Sequence, residues 1–219
     1  MIDHSTKHWK PTARNVDTRD RIIQSAARLF HEQGYAATGV ATILREADVN
    51  SGSLYHFFPS KEALLENVLD SYLARLYPEI MEPMEKSEPD PVSRVLKLMD
   101  WYTGFLDENG CRLGCPVGNL ALEVSDTHPQ LRSLIDRNFE NWTSIIHGWL
   151  EEAGAALPAG CNRRALARFI LTVMEGGVMQ SRAAGSTVPM EQSVEQLKSY
   201  FDALTRQAAQ ELAPIARSA

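Results

Sequence analysis

Apolar positions recur along this chain with a period near 3.6 residues, and strict alternation is scarce. From Thr18, the residues Ile22, Ala26 and Leu29 fall at i, i+4 and i+7, with Ile23, Ala27 and Phe30 beside them. That spacing predicts an amphipathic helix, capped by Asp17 or Thr18 and stopped by Gly34. A second helix is predicted over about Val40–Ala47, turning Ile43, Leu44 and Ala47 inward. "ADVN" makes a tight connection to a short helix near Ser51–Phe57, which Pro59 cannot continue. Ser60 caps a fourth helix whose first turn carries Glu62, favourable to the helix dipole, and which runs to about Met81. "EPMEKSEPDP" then reads as a linker. Long helices follow at about Pro91–Glu108, Val117–Ser125, Pro129–Ala153, Asn162–Ala184 and Met190–Ala213. The breaks between them, "NGCRLGCP", "DTHP", "GAALPAGC" and "GSTVP", are short and rich in Gly or Pro. The expected class is all-α, without internal repeat or low-complexity segment.

Composition narrows the setting. The chain has 219 residues, 44% hydrophobic and 23% charged, which is ordinary for a globular protein with a real core. No apolar run reaches the roughly 18 residues of a membrane span. The polar start "MIDHSTKHWKPTARN" has no secretory h-region and reads as a flexible tail over 1–16. Cys111, Cys115 and Cys161 are too few and too odd for a disulfide framework, so a reducing cytoplasm is expected. The net charge of −6 is uneven: residues 1–61 hold eight Lys and Arg against six Asp and Glu, leaving −8 on the remainder. A mildly basic head on an acidic body suits a head that meets a polyanion.

Two short helices joined by a tight turn and buttressed by a longer one form a helix-turn-helix layout. Its second helix lies in the DNA major groove, so one face must be small or polar and the other must pack. Ser51, Gly52, Ser53 and His56 supply the first face; Val49, Leu54 and Phe57 supply the second. Tyr55 and His56 can reach phosphates or base edges, Arg45 extends from the preceding helix, and Lys61 can neutralise a phosphate. Asn50 caps the reading helix.

The stretch "AARLFHEQGYAATGVATILREADVNSGSLYHFFPSKEALL" resembles the DNA-binding domain of TetR/AcrR-family transcriptional regulators. "LF…GY…T", "G-x-L-Y-x-x-F" and "F-P-S-K-E-A-L" match in register over about fifty residues. The resemblance implies a phosphate contact at Thr38, a recognition pair at Tyr55 and His56, and a phosphate-binding lysine at Lys61. Asp48 stands where the family commonly has glycine, and Asp tolerates a left-handed turn. Asn50-Ser51 replaces a frequent Ser-Lys or Ser-Arg, so one cation is missing from the reading helix. The implied division is a helix-turn-helix domain over 17–63 and a ligand-binding and dimerisation domain over 64–219.

The resemblance also implies that the last two helices pair with those of a second copy in a two-fold interface. Phe169, Val173, Gly177, Val194, Leu197 and Phe201 are the expected interface residues. An effector pocket for a small hydrophobic or aromatic molecule is expected among the central helices, lined by Trp101, Phe105, Phe139, Trp142 and Met174. "GCRLGCPVGNLALEVSD" is similar to the "GC-x-x-GNLA-x-E" segment of one subgroup, which includes flavonoid-responsive repressors of multidrug genes and relatives of electrophile-sensing repressors. It adds Cys115, Asn119 and Glu123 to the pocket.

The leading expectation is a homodimeric repressor released from double-stranded operator DNA by its effector, with neither cofactor nor metal. Cys111 and Cys115 offer an alternative trigger by thiol chemistry. The CxxxC spacing alone supplies too few zinc ligands, and His4 and His8 fall in the tail. A third reading is an all-α enzyme or carrier with a vestigial helix-turn-helix, but no catalytic triad or phosphate-cradling glycine loop stands out, so no enzyme is expected.

Overall fold

The computed structural model describes residues 17–213, so the tail with His4 and His8 lies outside the described residues. Every regular element among them is helical. In chain order these are α1 (Thr18–Gln33), α2 (Val40–Ala47), α3 (Ser51–Phe57), α4 (Lys61–Leu76), a π-helical turn (Tyr77–Met81), α5 (Glu82–Ser87) and α6 (Pro91–Glu108). Then come α7 (Pro116–Val124), α8 (Pro129–Glu152), a 3-10 turn (Gly154–Ala156), α9 (Arg163–Ala184) and α10 (Val188–Leu212).

Local chemistry accounts for most of these ends. Pro91, Pro116 and Pro129 open α6, α7 and α8, where a missing N–H costs nothing. Asn50, Ser60, Asp90 and Asn162 each accept a backbone N–H three residues on, at 2.8, 3.1, 2.7 and 3.0 Å. Asp17 occupies the N-cap of α1 without a side-chain bond to the helix, unlike the cap expected there. The expected linker is also largely helical. Pro78 cannot donate to the ladder, and the chain widens into the π turn, closing with the Glu82 N–H on Tyr77 O. Pro83 then falls in the first turn of α5, where it is tolerated, and the helix stops at Ser87.

The fold divides into two compact units. The first comprises the described residues up to Arg75 together with Leu113–Asn138; the second comprises Leu76–Arg112 and the chain from Phe139. The division differs from a single cut after residue 63, because α4, α7 and the start of α8 belong with the first three helices. In the first unit Ile22, Ala26, Phe30, Ile43, Leu54, Leu64, Leu65 and Leu69 are fully or almost fully buried. Phe58 is among them at 1% exposure, whereas Phe57 is only half-buried. Helical periodicity points to Phe57, but the chain leaves α3 there and Phe58 turns extended (φ −135°), swinging its ring into the core. Val49, also expected inward, is half-buried.

In the second unit α9 and α10 pack along their length and both meet α6. Leu98, Leu106, Ile146, Trp149, Ile170, Met174, Leu197 and Phe201 form its centre. Arg94 is 6% exposed, yet its charge is answered. It ion-pairs with Glu152 at 2.8 Å, bonds the Glu88 carbonyl at 3.0 Å and lies over the Trp149 ring. Trp149 Nε1 in turn donates to Glu85 at 2.7 Å, so the buried polar groups pair with one another.

Candidate nucleic-acid interface

The corner between α2 and α3 is set by one left-handed residue. Asp48 has φ 52° and ψ 56°, and its N–H reaches the Arg45 and Leu44 carbonyls at the end of α2. Val49 N–H bonds Leu44 O at 3.1 Å, and Asn50 then caps α3 by accepting the Ser53 N–H. Asp fits here because its short side chain tolerates positive φ better than most. The missing glycine therefore leaves the turn intact.

With Leu54 and Phe58 buried, α3 presents Ser51, Gly52, Tyr55 and His56 to solvent, and Arg45 is exposed on α2. Ser53 is half-buried. Tyr55 keeps 54% of its surface exposed, and His56 lies edge-on to Phe57 with ring centroids 4.9 Å apart. Neither α2 nor α3 has an acidic residue in its first turn. No carboxylate in either first turn competes for the N-terminal N–H groups, a setting that suits an anion.

Two expected contacts are placed otherwise. Thr38 is fully buried; its hydroxyl donates to Gly34 O at 2.6 Å and accepts from Gln33 Nε2 at 3.1 Å. It closes the corner left by the end of α1, and its hydroxyl is not open to a phosphate. Lys61 is half-buried and donates to Tyr35 O at 2.6 Å, with its ammonium 4.2 Å from the Tyr35 ring centre. Burial lowers its pKa, against the opposing pull of Glu123 and Glu62. Its charge is spent inside the unit, which a motif match cannot show. Tyr35 itself was not singled out by the sequence. Its phenol is buried without a well-formed hydrogen bond although Glu62 is near, and burial together with Glu62 and Glu123 raises its pKa.

Two family models match. "Bacterial regulatory proteins, tetR family" matches residues 22–68, and "Transcriptional regulator LmrA/YxaF-like, C-terminal domain" matches residues 91–196. The transcriptional regulator YxaF of Bacillus subtilis (strain 168) is 30% identical over 83% of this chain and 93% of its own. The chain belongs to the TetR family of bacterial transcriptional regulators. It is a DNA-binding repressor, not an enzyme. The repressor DhaR of a Mycobacterium species is 27% identical over 80% of this chain and 87% of its own. The crystal structure of reduced Escherichia coli NemR is similar, with a TM-score of 0.74 at 25% identity over 84% of this chain and 96% of that one. Regulators of this family act as dimers. No helix among the described residues is long and apolar enough to cross a membrane.

The residues expected at the effector pocket are divided between the units of this TetR-family chain. Trp101, Phe105, Phe139, Trp142 and Met174 lie in the second. Trp101 stacks on Phe105 (6.2 Å, 13°) and meets Tyr102 edge-on, while Tyr102 contacts Trp142 at 5.6 Å. Trp142 and Met174 are buried; Trp101, Phe105 and Phe139 are half-buried. Cys115, Asn119 and Glu123 lie in the first unit. Glu123 is not poised for a ligand, because its carboxylate accepts the backbone N–H groups of Tyr35 and Ala36.

The expected dimer residues also separate. Leu197 and Phe201 are buried within the protomer, and so is Gly177, where an added Cβ would lie 2.6 Å from Met190 Sδ. Gly177 lets α10 lie close to α9, and all three are covered within the protomer rather than open to a second copy. Val173 and Val194 are half-buried. Phe169 (48% exposed) meets the exposed Tyr200 edge-on at 5.9 Å, and Met179 and Val188 are exposed on the same two helices. Phe169 and Tyr200 border a cleft of about 500 Å³ with Leu166, Leu204, Cys161 and Gln207.

Proposed function

We propose that this protein is a homodimeric repressor, working in the cytoplasm, that leaves its operator when a small hydrophobic or aromatic effector binds the helical body. The observation that carries the reading is the exposed polar face of α3 above its buried Leu54 anchor. Tyr55, His56, Ser51, Gly52 and Arg45 are its DNA contacts, and two copies meet half-sites one helical turn apart or a multiple of it. The apolar surface at Phe169, Tyr200 and Met179 supports dimerisation through α9 and α10. The half-buried Trp101–Phe105 stack supports an aromatic effector, since stacked rings offer a flat apolar wall. Release requires only that the effector prefer the non-binding state; a hundredfold preference contributes about 2.7 kcal/mol per site.

The test combines sedimentation with operator binding. Phe169→Asp with Tyr200→Asp is expected to yield monomers and to lose operator affinity, and an aromatic effector is expected to quench tryptophan emission while releasing DNA. A doubly substituted protein that still sediments as a dimer would refute the interface. A second reading keeps DNA binding and makes Cys115 the trigger, resting on the likeness of "GCRLGCPVGNLALEVSD" to a cysteine-bearing segment of one subgroup and on the similarity to NemR, solved in a reduced form. Cys115 caps α7, its Sγ accepting the Gly118 N–H at 3.3 Å. Burial and Asp107 push the Cys111 thiol up, which argues against Cys111 as nucleophile. Cys115→Ser distinguishes the readings: it abolishes release by an alkylating agent in the second and preserves release by effector in the first.

A further inference from the structure

We infer that Glu123 is a positioning residue for DNA binding, and that Gly114–Glu123 is a brace setting the corner between α1 and α2. The inference rests on the reading of α3 as the DNA-contacting helix. It begins where α1 ends. Gly34 stops that helix at φ 88°, and the following N–H groups of Tyr35 and Ala36 turn away from it. One carboxylate takes both: Glu123 Oε2 accepts from Tyr35 at 2.8 Å and Oε1 from Ala36 at 2.6 Å. The fit is close, since a Cβ at Gly34 would lie 3.3 Å from each carboxylate oxygen. Two residues beyond Ala36, Thr38 closes the corner and Gly39 opens α2.

The other end of the segment grips the other side of the stop. Gly114 O accepts from His31 Nε2 at 2.7 Å, in the last turn of α1. Gly114 lies close under Asn119, whose amide would have to move for any side chain there, since a Cβ would stand 2.7 Å from its Oδ1. Cys115 caps α7, and α7 carries Glu123 to the corner. The conspicuous residues of "GCPVGNLALE" are therefore accounted for by one job: a short rigid helix held to α1 before and after Gly34.

Lys61 lies on Tyr35 from one side, and His128 meets the Tyr35 ring edge-on at 6.0 Å; Glu62 adds the second negative charge of the cluster. Hydrogen bonds to a carboxylate are about twice as strong as neutral ones. Removing the carboxylate deprives two amides of their shared acceptor and frees the corner from which α2 and α3 are hung. Base-edge contacts depend on that placement, whereas attraction to the phosphate backbone does not.

The experiment compares full-length wild type, Glu123→Ala and Glu123→Gln on two duplexes. One is enriched by the wild-type protein from random-sequence DNA; the other is an arbitrary duplex of equal length. Glu123→Ala is expected to lose about tenfold or more in affinity for the enriched duplex, in line with a charged hydrogen bond. Its affinity for the arbitrary duplex should change by less than about twofold, because the phosphate-binding cations are untouched. Amide exchange over residues 34–38 should accelerate, and Glu123→Gln, which keeps one acceptor, should fall between. Equal losses on both duplexes, unchanged exchange at 34–38, or wild-type affinity in Glu123→Ala would overturn the positioning role. If Glu123→Ala fails to fold, Glu123→Gln decides by the same split. Enriched-duplex affinity that survives Tyr55→Ala and His56→Ala would instead remove the recognition-helix reading itself, a failure separable from the first.

Discussion

Two segments of the first unit, residues 50–56 and 114–123, each carry polar residues on a short helix and use them in opposite ways. Both carry Gly, an Asn and a small residue at a helix start. In α3 the cap is local, Asn50 to Ser53, so the side chains of Ser51, Tyr55 and His56 remain unspent and face outward. In α7 the cap is also local, but Gly114 and Glu123 are committed to His31, Tyr35 and Ala36, more than eighty residues away. The difference teaches that a polar helix face is a binding surface only if no distant backbone has claimed it. Buried or half-buried donors must be paired, and a carboxylate within reach is drawn to them.

The comparison can be broken first at its anchor. Phe58→Ala removes the ring that holds α3 to the core and should cost about 3–5 kcal/mol of stability in the first unit. Calorimetry should show that loss together with vanished operator binding; a melting temperature within error of wild type would mean α3 is held by something else. Next comes the outward face. Tyr55→Ala should weaken operator binding by about 1–3 kcal/mol while thermal unfolding stays unchanged, since a half-exposed ring contributes to DNA rather than to the core. A change in melting equal to the change in binding would place Tyr55 with the committed residues. The smallest effect separates two cations. Arg45→Ala should reduce the salt slope of log K by about 0.9, one phosphate contact, whereas Lys61→Ala should leave the slope unchanged and cost stability instead. Titrations of both variants against salt check this, and a reduced slope in Lys61→Ala would return that lysine to the DNA surface.

Much of the molecule was legible in the chain because helix ends are local events. Gly34 stops α1, Asp48 makes the α2–α3 turn, Asn50 caps α3, and prolines open α6, α7 and α8. Each of these depends on a residue's own φ preference or on a partner three or four positions away, and so periodicity and capping chemistry find them. The outward face of α3 was legible for the same reason, since it follows from which side of a short helix is apolar.

What only the tertiary structure decided is where side chains go once helices meet. Phe58 displaced Phe57 from the core because one extended residue after α3 redirects the chain. Thr38 and Lys61, matched by motif to phosphates, are consumed by the carbonyls of Gly34 and Tyr35. Gly177, Leu197 and Phe201 are covered within the protomer, while Phe169, Met179 and Tyr200 are among the outward apolar residues of α9 and α10. Glu123 found the two amides beyond Gly34 only when α7 was laid against α1. Sequence determined most of the helices, many of their ends and the outward face of α3 through local backbone chemistry. The partners of the remaining polar groups depended on long-range packing, because an unsatisfied amide is answered by whatever acceptor the fold brings near, at any distance along the chain.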